Sequence, residues 1–520
     1  MAADALLQKA LEWATTGNGA YFILACAAGA ILLPSRQRSM PLKLPLHLLT
    51  RVAFLAYAGL ALAYFLFPNY SDHAGPAMTG LGMKLLAGRP VYPALDDYSF
   101  HGLLYGPLVA EIQAAAIFLG STLGGLPVML ASKLPGLVSF VVASALIFRM
   151  ARGRNFGALY YTLFLLPFQI LAFWNRCEPE LLLLVAAGFW SVEALPRRRA
   201  LLAIGLCAGL ASGMKLHGCL YIAPAAIAFL SRHRFSADVV WLPLLAAAGA
   251  FLLVFLPAGV SMPAFFDYLL LASGHGLSAR IFLFNLVFMA ALWSPLVVAL
   301  AADGRVRELL RPSLLALAAL QVAVALVGSK PGAGLHHLLP FIPANALLFA
   351  RYAEPGPRTV NVATLTVWLA VFLPGLYTCV QQGLGMAANW RAFETAQREL
   401  LLIKQTFPGT VMGLAGRETF PLVYLRPLLE TRDSPQVEYS SYMDLRLAGV
   451  SDRPLRDALD GCRIGHLAVP IGEPPFSMAS IYTPATPLFS DDLRDTFRRR
   501  FASVARGNWY EVFKCAPAAG

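Results

Sequence analysis

The sequence predicts a mainly α-helical, polytopic transmembrane bundle followed by a small C-terminal α/β domain. Three observations lead there: the scarcity of charge, a long succession of apolar runs, and a change of character near residue 379. Of the 520 residues, 58% are hydrophobic and only 13% are charged, whereas an average soluble domain is about 25% charged. So little polar surface cannot clothe a soluble fold of this size, but it suits one whose solvent is lipid. The formal charge of +12 raises the alternative of a nucleic-acid partner. The basic residues, however, fall in short clusters between apolar runs, as cytoplasmic loops of membrane proteins do, and form no single stripe. Membrane lipid is therefore the expected environment, and no nucleic acid is expected as partner.

Apolar runs recur at 20–34, 50–68, 104–120, 126–148, 155–174, 180–195, 199–214, 216–232, 238–257, 281–301, 312–328, 336–351 and 359–378. They are continuous rather than alternating, which selects helices over a strand barrel. Several fall short of a full span, so about eleven to thirteen helices are expected. Pro107, Pro135 and Pro167 interrupt the runs, as membrane helices tolerate when neighbours satisfy the freed carbonyls. The first run follows MAADALLQKALEW, which lacks a basic stretch, and precedes Arg36–Arg38. It reads as a retained anchor rather than a cleaved signal.

Basic clusters at Arg36–Arg38, Arg149–Arg154, Arg197–Arg199, Arg232–Arg234, Arg305–Arg311 and Arg351–Arg358 set the orientation. With all of them in the cytoplasm, the long loop 69–103, the WNRCEPE loop, the GMKLHG turn, loop 258–280 and the GSKPGAGLHH turn lie outside. The tail from about 380 follows them. Run 104–120 must then re-enter, lie shallow, or share one crossing with 126–148 through the GSTLGGLP bend. The expected organisation is a transmembrane domain, 1–378, with its large first external loop 69–103, and a soluble extracytoplasmic domain, 379–520.

In the tail, TVMGLAG (410–416), IGHLAVP (464–470) and WYEVFKC (509–515) read as strands. LRDALDG and DDLRDTFRRRFASVA read as helical or irregular separators, with a helix near 491–505 capped by Ser490. Such alternation predicts a small α/β domain. It carries no GxGxxG, P-loop or catalytic-triad pattern, so a lid or recognition role is expected. Seven cysteines are scattered without a CxxC pair or zinc-like spacing. Cys26, Cys207 and Cys219 read as small core residues, and an extracytoplasmic tail leaves pairing of Cys462 with Cys515 open.

Ionisable groups at membrane depth are expensive and therefore informative. The proposed outer face collects Asp72, His73, Asp96, Asp97, His101, Arg176, Glu178, Glu180, Lys215, His217, His275, Lys330, His336 and His337. Each has a bland reading. Asp72 caps a juxtamembrane helix over 76–88, Asp96 and Asp97 are solvated, and Glu178 or Glu180 caps the next helix. The lysines snorkel, the histidines sit at the interface, and His275 is a turn residue. Together, two separated carboxylate sites and two lysines on one face exceed what solubility requires. A carboxylate can take a proton from an acceptor or orient it, and lysine and histidine can stabilise a departing phosphate. No motif for ATP chemistry is present.

The stretch YSDHAGPAMTGLGMKLLAGRPVYPALDDYSFHGLLYGPLVAEIQA resembles the first external loop of the GT-C superfamily of membrane glycosyltransferases, of the protein mannosyltransferase and aminoarabinose-transferase type. Asp72 stands where those enzymes have an acidic residue. GRPVY (88–92) resembles their turn, YGPL (105–108) their next helix start, RCEPEL their second acidic position, and HHLLPFIP a late helix start that meets lipid phosphate. The resemblance implies Asp72 and Glu178 as catalytic carboxylates, with Glu180 an open alternative at the second position. It implies His73, Tyr92, Asp97, Tyr105, Glu180, Lys215, His217, Lys330, His336 and His337 as substrate-binding residues. It also implies a polyprenyl-phosphate-linked sugar donor, a glycan, lipid or protein acceptor, inversion at the anomeric carbon, and a multi-pass place in a bacterial inner membrane with the tail in the periplasm. Asp72-His73 departs from the paired acids of metal-dependent members, so no cofactor is implied and a divalent metal is left open without being indicated. The alternatives are a secondary transporter, for which no repeat of two halves is visible, and an envelope-lipid flippase without covalent chemistry.

Overall fold

The structure, a computed structural model, describes residues 18–32, 46–102, 105–152, 154–353, 362–430, 437–481 and 486–516. The flanks of the expected anchor, including Arg36 and Arg38, and most of the cluster Arg351–Arg358 lie outside them. The described part is mainly helical. Five of its helices are long and apolar enough to cross a membrane: Leu48–Leu66, Val128–Met150, Asn155–Ala172, Ala279–Ala302 and Ala363–Thr406. Shorter apolar helices include Leu108–Leu123, Leu216–Leu230 and Pro312–Val327. The prolines act as the sequence suggests. Pro135 sits within Val128–Met150, Pro107 starts Leu108–Ile117, and at Pro167 the helix Asn155–Leu165 tightens into a 3-10 turn.

The chain forms two compact units. One comprises Met1–Ala63, Gly136–Phe251 and Leu277–Gly385; the other comprises Tyr64–Pro135, Leu252–Gly276 and Met386–Gly520. The expected boundary at 378/379 falls inside a 45-residue helix, Val362–Thr406.

The first unit wears an apolar exterior, with Leu55, Leu62, Val141, Leu244 and Leu283 all exposed. Water penalises such a surface and lipid does not. Its interior helices approach through small residues, as membrane helices do. Gly205 and Gly209 of Arg197–Met214 lie against the backbone of Pro243 and Ala247 in Asp238–Leu253. One set of its buried polar groups forms a continuous chain of hydrogen bonds. Trp293 donates to Gln321 at 2.6 Å, Gln321 to Asn345 at 2.7 Å, Asn345 to the Tyr160 hydroxyl at 3.0 Å, and Tyr160 to the Leu292 carbonyl at 2.9 Å. Such internal accounting is obligatory where no water reaches.

The second unit carries a four-stranded sheet of β1 (Val411–Met412), β2 (His466–Pro470), β3 (Phe501–Arg506) and β4 (Tyr510–Cys515), in the order β1-β2-β4-β3. β1 and β2 run parallel, the other pairs antiparallel. The three expected strands are present. β3 corrects the helical reading of 491–505: the helix stops at Arg500 and the chain turns straight into a strand. Ser490 caps its start by accepting from the Leu493 amide at 3.3 Å, and Arg498, Arg499 and Arg500 fill its last turn. Cations there complement the helix dipole and mark the end that an unbroken pattern without glycine or proline concealed. The Glu399 carboxylate, at the end of Val362–Thr406, accepts from the amides of Asn508, Trp509 and Tyr510 at 2.8–3.2 Å, and so holds the β3–β4 turn. Cys462 and Cys515 form a disulfide. Cys207 is buried as expected, but Cys219 is exposed and Cys26 partly so, because both lie on outward helix faces.

Candidate active site

The predicted residues fall into two groups, one in each unit. In the first unit, the WNRCEPE segment turns into the helix Glu178–Ala194, whose start is acidic and proline-bearing, as helix starts prefer. Glu178 is fully buried. Its Oε1 accepts from Lys215 Nζ at 2.6 Å and its Oε2 from Trp174 Nε1 at 3.1 Å. Lys215 closes the helix Arg197–Met214 in extended backbone, which turns its side chain inward. The Arg176 guanidinium lies 4.0 Å from the Trp174 ring centroid, a cation–π contact.

Three histidines stand around this pair. The His217 and His337 rings stack 5.4 Å apart, His336 lies 4.7 Å from His337, and the Trp174 and His336 rings meet edge-on. His217 also reaches the Tyr221 hydroxyl at 3.3 Å. Gly328 is packed against His337: a β-carbon there would lie 3.0 Å from the ring. Lys330 is half-buried on the turn that leads to the two histidines. Glu180 is buried, and among the described residues its Oε2 has no hydrogen-bond partner. Sequence reasoning thus brought Glu178, Glu180, Lys215, His217, Lys330, His336 and His337 into one unit. It preferred Glu178 and kept Glu180 as the alternative; the structure commits Glu178 to lysine and tryptophan and leaves Glu180 Oε2 without a hydrogen bond among the described residues.

In the second unit, Asp72 Oδ1 accepts from the Gly75 amide at 3.0 Å and so caps the helix Ala74–Leu86. Gly75 is required there, since a β-carbon would meet Tyr70 at 2.8 Å and Asp72 at 3.1 Å. His73 faces Phe420 and Tyr439, and lines a cleft with Pro76, Val423, Tyr424, Arg426 and Glu438. Tyr92 is buried and donates to the Tyr105 carbonyl at 2.6 Å, so Tyr105 contributes its backbone to that contact. Asp97 accepts from the Ser99 amide at 3.1 Å and shapes the loop.

Three buried features here had no role assigned from the sequence. Arg426 meets Glu430 at 2.9 Å and donates to the Pro76 carbonyl at 3.0 Å. His101 bridges Ser99 Oγ (2.8 Å) and the Pro90 carbonyl (2.9 Å). Burial, above all, holds the imidazole down at about 4, so it is neutral, donates from Nε2 and accepts at Nδ1. Lys133 is completely buried. It stood inside the run 126–148, and a lone cation at membrane depth was the signal that could have found it. Among the described residues, no three His, Cys, Asp or Glu side chains are grouped to hold a metal.

The described residues thus hold two polar clusters, one in each unit, on a frame with five helices long and apolar enough to cross a membrane. No protein-family model matches the sequence, and no curated protein does. Among solved structures, the chain is similar to ArnT from Cupriavidus metallidurans bound to undecaprenyl phosphate. The TM-score is 0.57 at 13% identity, covering 90% of this chain and 98% of that one. It is likewise similar to ArnT from the same organism in the apo state, with a TM-score of 0.54 at 14% identity, covering 89% and 97%. At such identity the likeness is one of fold.

Proposed function

We propose that this protein transfers a sugar from a polyprenyl-phosphate carrier to an acceptor at the extracytoplasmic face of a bacterial inner membrane, with inversion. The observation that carries this reading is the likeness of fold, over 90% of the chain, to a structure holding undecaprenyl phosphate. The shorter apolar helices then complete a bundle of about eleven to thirteen crossings, and the tail beyond them is the periplasmic domain. The Cys462–Cys515 disulfide supports that side, because such bonds persist in oxidising compartments. So do the basic clusters between the helices.

In the reaction, Asp72 takes the proton of the acceptor hydroxyl or amine. The freed lone pair attacks the anomeric carbon. The bond from that carbon to the phosphate oxygen breaks, and its electrons leave on polyprenyl phosphate. A single displacement inverts the centre. Lys215, Lys330 and His337 receive the developing phosphate charge, with His217 and His336 beside them. Glu178 holds Lys215 in place, and Glu180 offers its spare oxygen to the acceptor. His73, Tyr92, Asp97 and Tyr105 shape the loop around Asp72. The carrier's tail lies in lipid against apolar helices. Replacing Asp72 by Asn tests the assignment. Transfer should fall to a small residue while expression and melting are retained, and near-normal transfer would overturn it.

A further inference from the structure

The helix Leu46–Leu66 ends a few residues before Asp72, and its last carbonyls have no partner within the helix. Lys133, from the helix Val128–Met150, meets one of them and two carbonyls of the segment that follows. Its Nζ donates to the carbonyls of Tyr64 (3.1 Å), Phe67 (2.7 Å) and Asn69 (2.8 Å). Three acceptors match the three N–H groups of an ammonium. A cation at a helix C-terminus also complements its dipole, and the Tyr64 ring centroid lies 4.7 Å away.

The neighbouring ties act on the segment 67–72, just beyond the helix end. Gln397 donates to the Pro68 carbonyl. Asn69 donates to the Pro421 carbonyl at 2.9 Å and accepts from the Tyr70 amide at 2.8 Å. The Tyr70 hydroxyl sits 2.8 Å from both Thr79 Oγ1 and Ser132 Oγ, and Ser132 is the residue before Lys133. Tyr70 in turn packs against Gly75, whose amide Asp72 accepts. An interaction this costly to bury is over-specified for merely ending a helix, since water or a glycine cap would serve.

We propose that Lys133 is a positioning residue, which fixes the segment 67–72 and thereby the place of the Asp72 carboxylate. The inference rests on the assignment of Asp72 above, and its test keeps the two apart. Lys133→Met, Lys133→Arg, Tyr70→Phe and Asp72→Asn are compared by amide hydrogen exchange and by transfer kinetics on the full chain. In Lys133→Met, exchange over 64–75 should quicken about tenfold or more while distant helices stay within about twofold. Its kcat should drop on the order of 10–100-fold with donor KM nearly unchanged, as misplacement of a reacting group predicts. Lys133→Arg, which keeps the cation and the donors, should recover most of both. Unchanged exchange in Lys133→Met overturns the proposal whatever the activity. Quickened exchange with wild-type kcat, beside an inactive Asp72→Asn, overturns it too. An active Asp72→Asn refutes the base assignment instead and leaves exchange to decide positioning. Should Lys133→Met not fold, Tyr70→Phe, which loosens the same segment without burying a new cavity, must show the same pattern at smaller size, and its failure to do so counts against the proposal.

Discussion

Lys215 Nζ lies 2.6 Å from Glu178 Oε1, with the lysine 6% and the glutamate 0% exposed. Both ions have given up hydration, so neither is tolerable alone. Glu178→Gln or Lys215→Met should each destabilise the protein by about 3–5 kcal/mol. The double replacement should regain much of that, because it leaves no orphan charge. Thermal unfolding of the three variants in detergent measures this. Additive losses in the double variant would show that the two residues act independently.

Lys330 is only half-buried. Lys330→Met should melt within a degree or two of the wild type, but raise the donor KM about tenfold, the effect of losing about 1.4 kcal/mol of phosphate binding. Steady-state kinetics with varied donor checks it, and an unchanged KM removes Lys330 from the donor site.

The Cys462–Cys515 bond joins positions 53 residues apart. Closing a loop of that length stabilises by about 4 kcal/mol on the chain-entropy account. Reduction, or Cys515→Ser, should therefore lower the melting transition of the tail by several degrees. An identical transition with and without reductant would contradict a formed bond.

His101 supplies a pH dependence. Burial first, with help from Lys84 and Arg426 and against Asp97 and the Pro90 carbonyl, lowers it from about 6.5 when unfolded to about 4 when folded. The neutral form is the folded form. Its contribution, about 3 kcal/mol, is fully present above pH 6.5 and is lost as pH falls toward 4. His101→Gln should flatten the decline of stability between those values, and melting scans across that range read it directly.

Much of this was legible in the residues. Continuous apolar runs gave the helical frame, and β1, β2 and β4 showed as short apolar stretches. The cost of charge near lipid pointed to Glu178, Lys215 and the GLHH turn. What stayed hidden depended on partners distant in sequence. FASVAR becomes β3 only because β4 pairs with it; by local pattern it continues the preceding helix. Glu178 and Glu180 differ only in what meets them across 37 positions of chain, where Lys215 reaches the first. Lys133 was visible as a charge inside an apolar run. Its three carbonyls, more than sixty residues earlier, were not. Asp72 carried both readings in the sequence, and as a cap it does engage Gly75. A cap uses one carboxylate oxygen for an amide and is compatible with a base role for the side chain.

Sugar transfer from a lipid-linked phosphate is read most directly by release of the carrier. Purified protein in nanodiscs, offered a panel of polyprenyl-phosphate sugars, should release free polyprenyl phosphate from at least one of them, and Asp72→Asn should not. Solute crossing the membrane with every donor intact, or release that Asp72→Asn leaves unchanged, would contradict it.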